Sequence, residues 1–350
     1  MFPRLSKCFS FTASRDWLYR QSFSVAGLRA VVSDLGDGTV MHCWVPKIHD
    51  TSKPSLVLIH GFGANAMWQY GDHLRNFVAH FNVYVPDLLF FGDSFTSRPE
   101  RTESFQAVCL RKLMEFHGVH RMSLVGISYG GFVAYSLAAQ FPEKVEKLAL
   151  CCTGVCLEEI DMKNGLFKVS DLDEAASILM PQTPEKLREL MRLSFVRPAR
   201  GVPTWFLADF IQQVMCTRCI DEKRELLEAI LKGRKLSNLP KIQQVFIQFT
   251  YSLNFLNIYM ILWYWMEQNT LIIWGEQDQI FPLELGHRLQ RHIGESAHIV
   301  VIKNAGHAVN LEKSKEFARH LKSFLVGPKA CSSSPSLSFS FRWTNPEGHS

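Results

Sequence analysis

The 350-residue chain lacks a strong charge of either sign: 38 Lys and Arg stand against 33 Asp and Glu, a surplus of 5. It has no dense basic run and no nucleic-acid-binding motif, so no nucleic-acid partner is expected. No secretory leader is expected either. Met1–Arg15 is basic and free of acids but has no apolar run long enough for an h-region. Two readings stay open for it, a weak organelle transit peptide or an ordinary frayed terminus. Residues 1–27 are therefore expected to be poorly ordered, and the cytoplasm is the expected location, with an organelle the alternative. The cysteines do not form a disulfide framework: the nine are odd in number and irregularly spaced. Most read as reduced core thiols. Cys216-x-x-Cys219 has no second Cys or His pair at ligand spacing, so no metal is expected. What the chain does have is 47% hydrophobic and only 20% charged residues, enough to bury a sizeable core and too apolar for a disordered or fibrous protein.

Apolar runs alternate with amphipathic ones. Strands are expected at Leu28–Asp34, Thr39–Pro46, Ser55–His60, Asn82–Pro86, Met122–Ile127, Val145–Cys152, Leu271–Trp274 and His298–Ile302. Helices are expected at about Thr102–His117, Tyr129–Gln140, Leu283–His292 and Ser314–Leu325. This order predicts an α/β fold with a mostly parallel sheet covered by helices on both faces. The turn at Gly36-Asp37-Gly38 predicts an antiparallel hairpin at one edge. After Cys152 the alternation breaks. From about Leu157 to Leu239 the pattern is helical with proline breaks, which places a helical cap between strands of one sheet. The expected divisions are a core from 28 to 156, the cap from 157 to 244, an apolar insertion from 245 to 268, the rest of the core from 269 to 326, and a disordered Ser-rich tail from 327 to 350.

Gly126-Ile127-Ser128-Tyr129-Gly130 stands between an expected strand and an expected helix, the G-x-S-x-G pattern of a nucleophile elbow. A serine hydroxyl needs a base, and the base needs an orienting acid. His307 in Asn304-Ala305-Gly306-His307 and Asp278 in Trp274-Gly275-Glu276-Gln277-Asp278 follow later strands in the order Ser, Asp, His. Glu276 and the turn after Cys152 remain rivals for the acid. An oxyanion needs two N–H donors. The residue after the nucleophile, Tyr129, supplies one, and Phe62 in His60-Gly61-Phe62-Gly63 is the candidate for the other. His60 itself reads as a scaffold residue rather than a second base.

With these motifs the sequence resembles the α/β-hydrolase superfamily from about Leu28 to Leu325. Pro86-Asp87-Leu88-Leu89-Phe90-Phe91-Gly92-Asp93-Ser94 is similar to the family's turn after its fourth strand, with Phe90 where glycine is frequent. Gly275-x-x-Asp278-x-Ile280-x-Pro282 and Gly306-His307 with Glu312 are similar to its acid and histidine loops. Within the superfamily the chain most resembles cap-bearing plant proteins of the monoacylglycerol-lipase-like and epoxide-hydrolase-like group. Ser128 in place of Asp implies an acyl-enzyme route, with Ser128, His307 and Asp278 as triad and no cofactor. The cap residues Phe167, Trp205, Phe206 and Phe210 are expected to bind an apolar part of a small ester or monoacylglycerol. A C–C bond hydrolase, a ligand-sensing protein and an interaction protein of the same fold are the alternatives; no partner protein is identified.

One stretch departs from the resemblance. Residues 242–266 contain no charged residue and are dense in Phe, Ile, Leu, Tyr and Trp. Related chains pass almost directly from a Leu-Pro-Lys-Ile stretch to the next strand. Three readings remain: a translated retained intron, an extended cap element, or a membrane segment, although polar residues interrupt the run and no stable span is expected. A Val codon at 245 begins with GT and a Gln codon at 268 can end in AG, as splice boundaries require.

Overall fold

A computed structural model describes residues 10–327, apart from 64, 170, 216–217, 243–244, 254–257 and 267–268. Its strands are β1 (Leu28–Asp34), β2 (Thr39–Pro46), β3 (Ser55–Ile59), β4 (Asn82–Pro86), β5 (Phe95–Thr96), β6 (Met122–Ile127), β7 (Val145–Cys151), β8 (Val245–Leu253), β9 (Ile258–Met266), β10 (Thr270–Gly275) and β11 (Ala297–Ile302). The main sheet runs β1-β2-β4-β3-β6-β7-β10-β11, with β5 paired to β2. From β4 to β11 neighbours are parallel, while β1, β2 and β4 are joined antiparallel. Every residue of β3, β4, β6 and β10 is buried. Strands covered on both faces have no solvent side, so their sequences are continuous apolar runs rather than alternating ones.

The covering helices include α1 (Phe11–Val25), α2 (Ala66–Tyr70), α3 (Glu103–Phe116) and α4 (Tyr129–Gln140) before β7. Helix α4 is buried almost all round, because it lies directly on the strand that precedes it and against α3. Between β7 and β10 lie α5 (Glu159–Lys163), α6 (Leu172–Leu179), α7 (Pro184–Ser194), α8 (Thr204–Gln213) and α9 (Ile220–Leu231). Leu187, Leu207 and Ile211 from α7 and α8 make a small apolar cluster of their own, apart from the main core. Helices α10 (Leu283–Ile293), α11 (Val309–Glu312) and α12 (Ser314–Val326) close the described chain.

Three expectations meet different outcomes. The poorly ordered 1–27 segment is corrected over residues 10–25, where α1 forms. Ser10 caps it by accepting from Ala13 N at 2.9 Å, and its Oγ bonds Asp209 of α8 at 2.8 Å. Tyr19 and Phe23, one turn apart, pack on Trp68 and Trp44 at ring separations of 5.2 and 4.8 Å. The 245–268 segment forms two antiparallel strands, registered from Val245 opposite Met266 to Leu253 opposite Ile258, and not a spanning helix. Among the described residues no helix is long and apolar enough to cross a membrane. The expected disordered tail, beyond Gly327, lies outside the described residues, as does Cys216.

Candidate active site

The site begins where β6 meets α4. Ser128 has φ 53° and ψ −120°, a left-handed backbone that a serine adopts at a cost of about 1–3 kcal/mol. Close approach on either side fixes it there. A Cβ on Gly126 would lie 2.3 Å from the Gly130 carbonyl oxygen, and one on Gly130 would lie 2.3 Å from that of Ile59. Any larger residue at either position would push the helix off the sheet and carry Ser128 with it.

Two loops after β10 and β11 reach the serine. His307 Nε2 lies 3.0 Å from Ser128 Oγ, and His307 Nδ1 lies 2.8 Å from Asp278 Oδ2. The Asp278 side chain is wholly shielded from solvent. Its other oxygen accepts from the N–H groups of Ile280 and Phe281, both at 2.9 Å. A buried carboxylate held by two backbone donors fixes the tautomer of the imidazole: Nδ1 carries the proton and Nε2 is free to accept from the hydroxyl. Glu276, the rival acid, instead accepts from Asn304 N at 3.0 Å and stays at the surface. Thr153 and Gly154 after Cys152 carry no acid.

Cys152 Sγ joins Asp278 and His307 in a group whose polar atoms lie within 4.8 Å of one another. Such a set suggests a metal, but its chemistry does not fit one. Both imidazole nitrogens are engaged, and burial beside the Asp278 charge pushes the thiol well above its ordinary range, so it stays protonated.

The loop after β3 lies against the serine, with a Cβ on Gly61 only 2.8 Å from Ser128 Cβ. Gln69 of α2 holds that loop, accepting from Gly61 N at 3.0 Å and donating to the carbonyls of Gly61 and Phe62 at 3.3 Å. Phe62 stands edge-on to Tyr129, ring to ring at 4.8 Å. The Tyr129 N–H belongs to the first turn of α4 and has no partner within the helix. His60 is a scaffold residue. Its Nε2 accepts from Leu88 N at 2.9 Å, so Nδ1 donates to the Gly61 carbonyl at 2.8 Å, and burial lowers its pKa. The turn after β4 is fixed by Asp87, which accepts from Ala66 N at 3.0 Å and pairs with His42 Nδ1 at 2.8 Å. Within that turn Phe90, at the position where the family often has glycine, adopts φ 73°, and Arg101 stacks at 4.5 Å over its ring.

A cavity of about 380 Å³ opens over Ser128 and His307, walled mainly by apolar side chains of α7 and α8. Of the four residues expected to bind substrate, Phe206 and Phe210 line it together with Phe62. Trp205 and Phe167 do not. Residues 206 and 210 are one helical turn apart and share a face, whereas Trp205 is rotated about 100° away and is 65% exposed. Phe167 packs instead on Phe281 at 6.3 Å, facing a separate small void. Reasoning on the sequence missed Trp68, Gln69 and the α7 residues Leu187, Leu190 and Met191, all of which line the cavity. The α7 signal was present as apolar residues at i, i+3 and i+4. Glu312 ties this wall to the histidine loop: its carboxylate accepts from Gly306 N at 2.9 Å, Arg197 N at 3.0 Å and Val196 N at 3.2 Å.

Comparison with known proteins gives the same fold. Residues 54–314 match the family described as alpha/beta hydrolase fold. Monoacylglycerol lipase ABHD6 of Bos taurus is 25% identical over 296 residues, covering 81% of this chain and 79% of that protein. Among solved structures, a membrane phospholipase A described as a bacterial virulence factor superposes with TM-score 0.66 at 24% identity, over 90% of both chains. The 2-hydroxy-6-oxo-6-phenylhexa-2,4-dienoate hydrolase of Rhodococcus sp. strain RHA1 gives TM-score 0.62 at 19% identity, over 85% of this chain and 99% of that one.

Proposed function

The chain belongs to the alpha/beta-hydrolase family, and we propose that it is a serine hydrolase of carboxylic esters with an apolar acyl or alcohol part, monoacylglycerols among them. The observation that carries this reading is the continuous hydrogen-bonded path from Asp278 through His307 to Ser128, ending in an apolar cavity.

In the first step His307 Nε2 takes the Ser128 proton as Oγ adds to the ester carbonyl. The N–H groups of Phe62 and Tyr129 receive the oxyanion. The imidazolium then protonates the leaving alkoxide, and the C–O bond breaks to give the alcohol and an acyl-Ser128 ester. A water, deprotonated by the same imidazole, releases the acid and restores the serine. Asp278 stabilises the imidazolium in both halves and is not itself protonated. The helices α5–α9 act as a cap that shields the acyl chain from water, and the lipase-named relative above supports the ester class.

Labelling with a fluorophosphonate, read by intact mass and peptide mapping with Ser128→Ala as control, tests the proposal. One adduct, on Ser128, followed by turnover of p-nitrophenyl or monoacylglycerol esters, is the expected result. A folded protein that takes no adduct refutes it.

A further inference from the structure

Beside the cavity over Ser128 lies a second, smaller void of about 40 Å³. It is lined by Phe167, Ile178, Ile230 and Phe281 among others. Among the described residues, one side chain borders both spaces: Leu179, the last residue of α6. The void is almost purely apolar, and its volume exceeds the roughly 10–15 Å³ that one water needs, yet water would find few polar partners there. Filling it with methylenes is favourable because that takes its apolar lining out of contact with water. Phe281 stands near the same boundary but cannot yield. Its N–H is bonded to Asp278, and its ring packs on His307 at 5.6 Å. Leu179 carries no such duty.

We infer that Leu179 is the end-stop of the acyl channel and sets the chain length the enzyme accepts, with the void behind it as the space a longer chain would occupy. This rests on the serine-hydrolase reading above and adds the substrate length to it. Trimming Leu179 to Ala removes three side-chain carbons and joins the two spaces.

The test is kcat/KM for p-nitrophenyl esters of increasing acyl length, on the full chain. Leu179→Ala is expected to move the optimum up by about three carbons, the number the truncated side chain gives up. The ratio for long over short esters should rise by roughly tenfold or more, since one methylene gaining an apolar site changes kcat/KM by that order. Ile230→Phe lies only on the far void; alone it should leave the wild-type profile unchanged, and combined with Leu179→Ala it should return the optimum towards wild type. That reversal separates a filled channel from a generally loosened cap. A ratio that stays flat in Leu179→Ala while short esters still turn over, or a shift that Ile230→Phe does not reverse, overturns the inference. If the wild type neither labels at Ser128 nor hydrolyses any ester, the serine-hydrolase reading falls and this one with it.

Discussion

Replacing Asp278 by Asn is the sharpest test of the relay, because shape is kept and only one atom changes character. The carboxylate serves three N–H donors: Ile280 N and Phe281 N on one oxygen, and His307 Nδ1 on the other. An asparagine has one oxygen and one NH2 to offer. If the oxygen faces His307, two buried backbone N–H groups meet an NH2 and each loses an acceptor, at about 1–3 kcal/mol apiece. If the oxygen faces the backbone, only the histidine contact is lost, and the ring restores it by moving its proton. The second arrangement therefore wins by a few kcal/mol. It places a hydrogen on Nε2, pointing at Ser128, and leaves the serine without a base. The cost for catalysis is a fall in kcat of about 10⁴, equivalent to roughly 5.5 kcal/mol on the barrier. Asp278→Ala should add a loss of stability that Asn avoids, since all three donors are then unmet. The assay is ester turnover beside the rate of fluorophosphonate labelling, with thermal unfolding as the check on folding. An Asn variant within tenfold of wild type would refute the assignment of Asp278 as the orienting acid.

Two further outcomes are expected. Glu312→Ala should lower kcat by about 10- to 100-fold by releasing the loop that holds His307, while Gln, which keeps an acceptor, should recover part of it; equal activity of Ala and wild type would argue that the loop is held elsewhere. Stability should fall as the pH is lowered from 7.5 to 5. Burial lowers the pKa of His60 and of His73 below their ordinary 6.5, so the unfolded chain binds these protons first, and the native state loses ground from about pH 6.5 downward. The pKa of Asp87 is also lowered: burial opposes its charge most strongly, but the His42 hydrogen bond, the neighbouring His42 and His60 rings and the Ala66 N–H together outweigh it, and the stability it lends is lost only in far stronger acid, below its ordinary 3.8. A flat or rising thermal midpoint between pH 7.5 and 5, followed by calorimetry, would contradict the histidine argument.

The middle of the main sheet was legible because its strands are buried on both faces and so stand out as nearly unbroken apolar runs; β4 and β6 lie where the pattern puts them. Ser128, His307 and Asp278 were legible for a different reason. Each sits in a turn whose glycines and order along the chain follow from the geometry the residue needs. Helix α1 was hidden because its apolar residues do not mark one buried face, Tyr19 and Phe23 being buried while Phe11, Trp17, Leu18 and Val25 are exposed, and its cap partner, Asp209, is 199 positions from Ser10. Trp205 and Phe206 show the limit most clearly. They are neighbours of equal apolar character, and only the packing of α8 against α1 and α7 decides which of them lines the cavity. Phe167 was misplaced likewise, since nothing in its own surroundings in the chain indicates that it turns towards Phe281.

The β8–β9 hairpin has a topological consequence. Because Val245 pairs with Met266, the chain leaves the fold and re-enters it at neighbouring points. The path of the main sheet does not record the excursion: β10 still lies between β7 and β11, in the register that Thr270 makes with Leu148 and Ala297. A detour whose two ends coincide is transparent to the rest of the structure. The join ahead of β10 is therefore a place where a reporter or affinity tag could be grafted into the middle of the chain without reordering a strand of the main sheet.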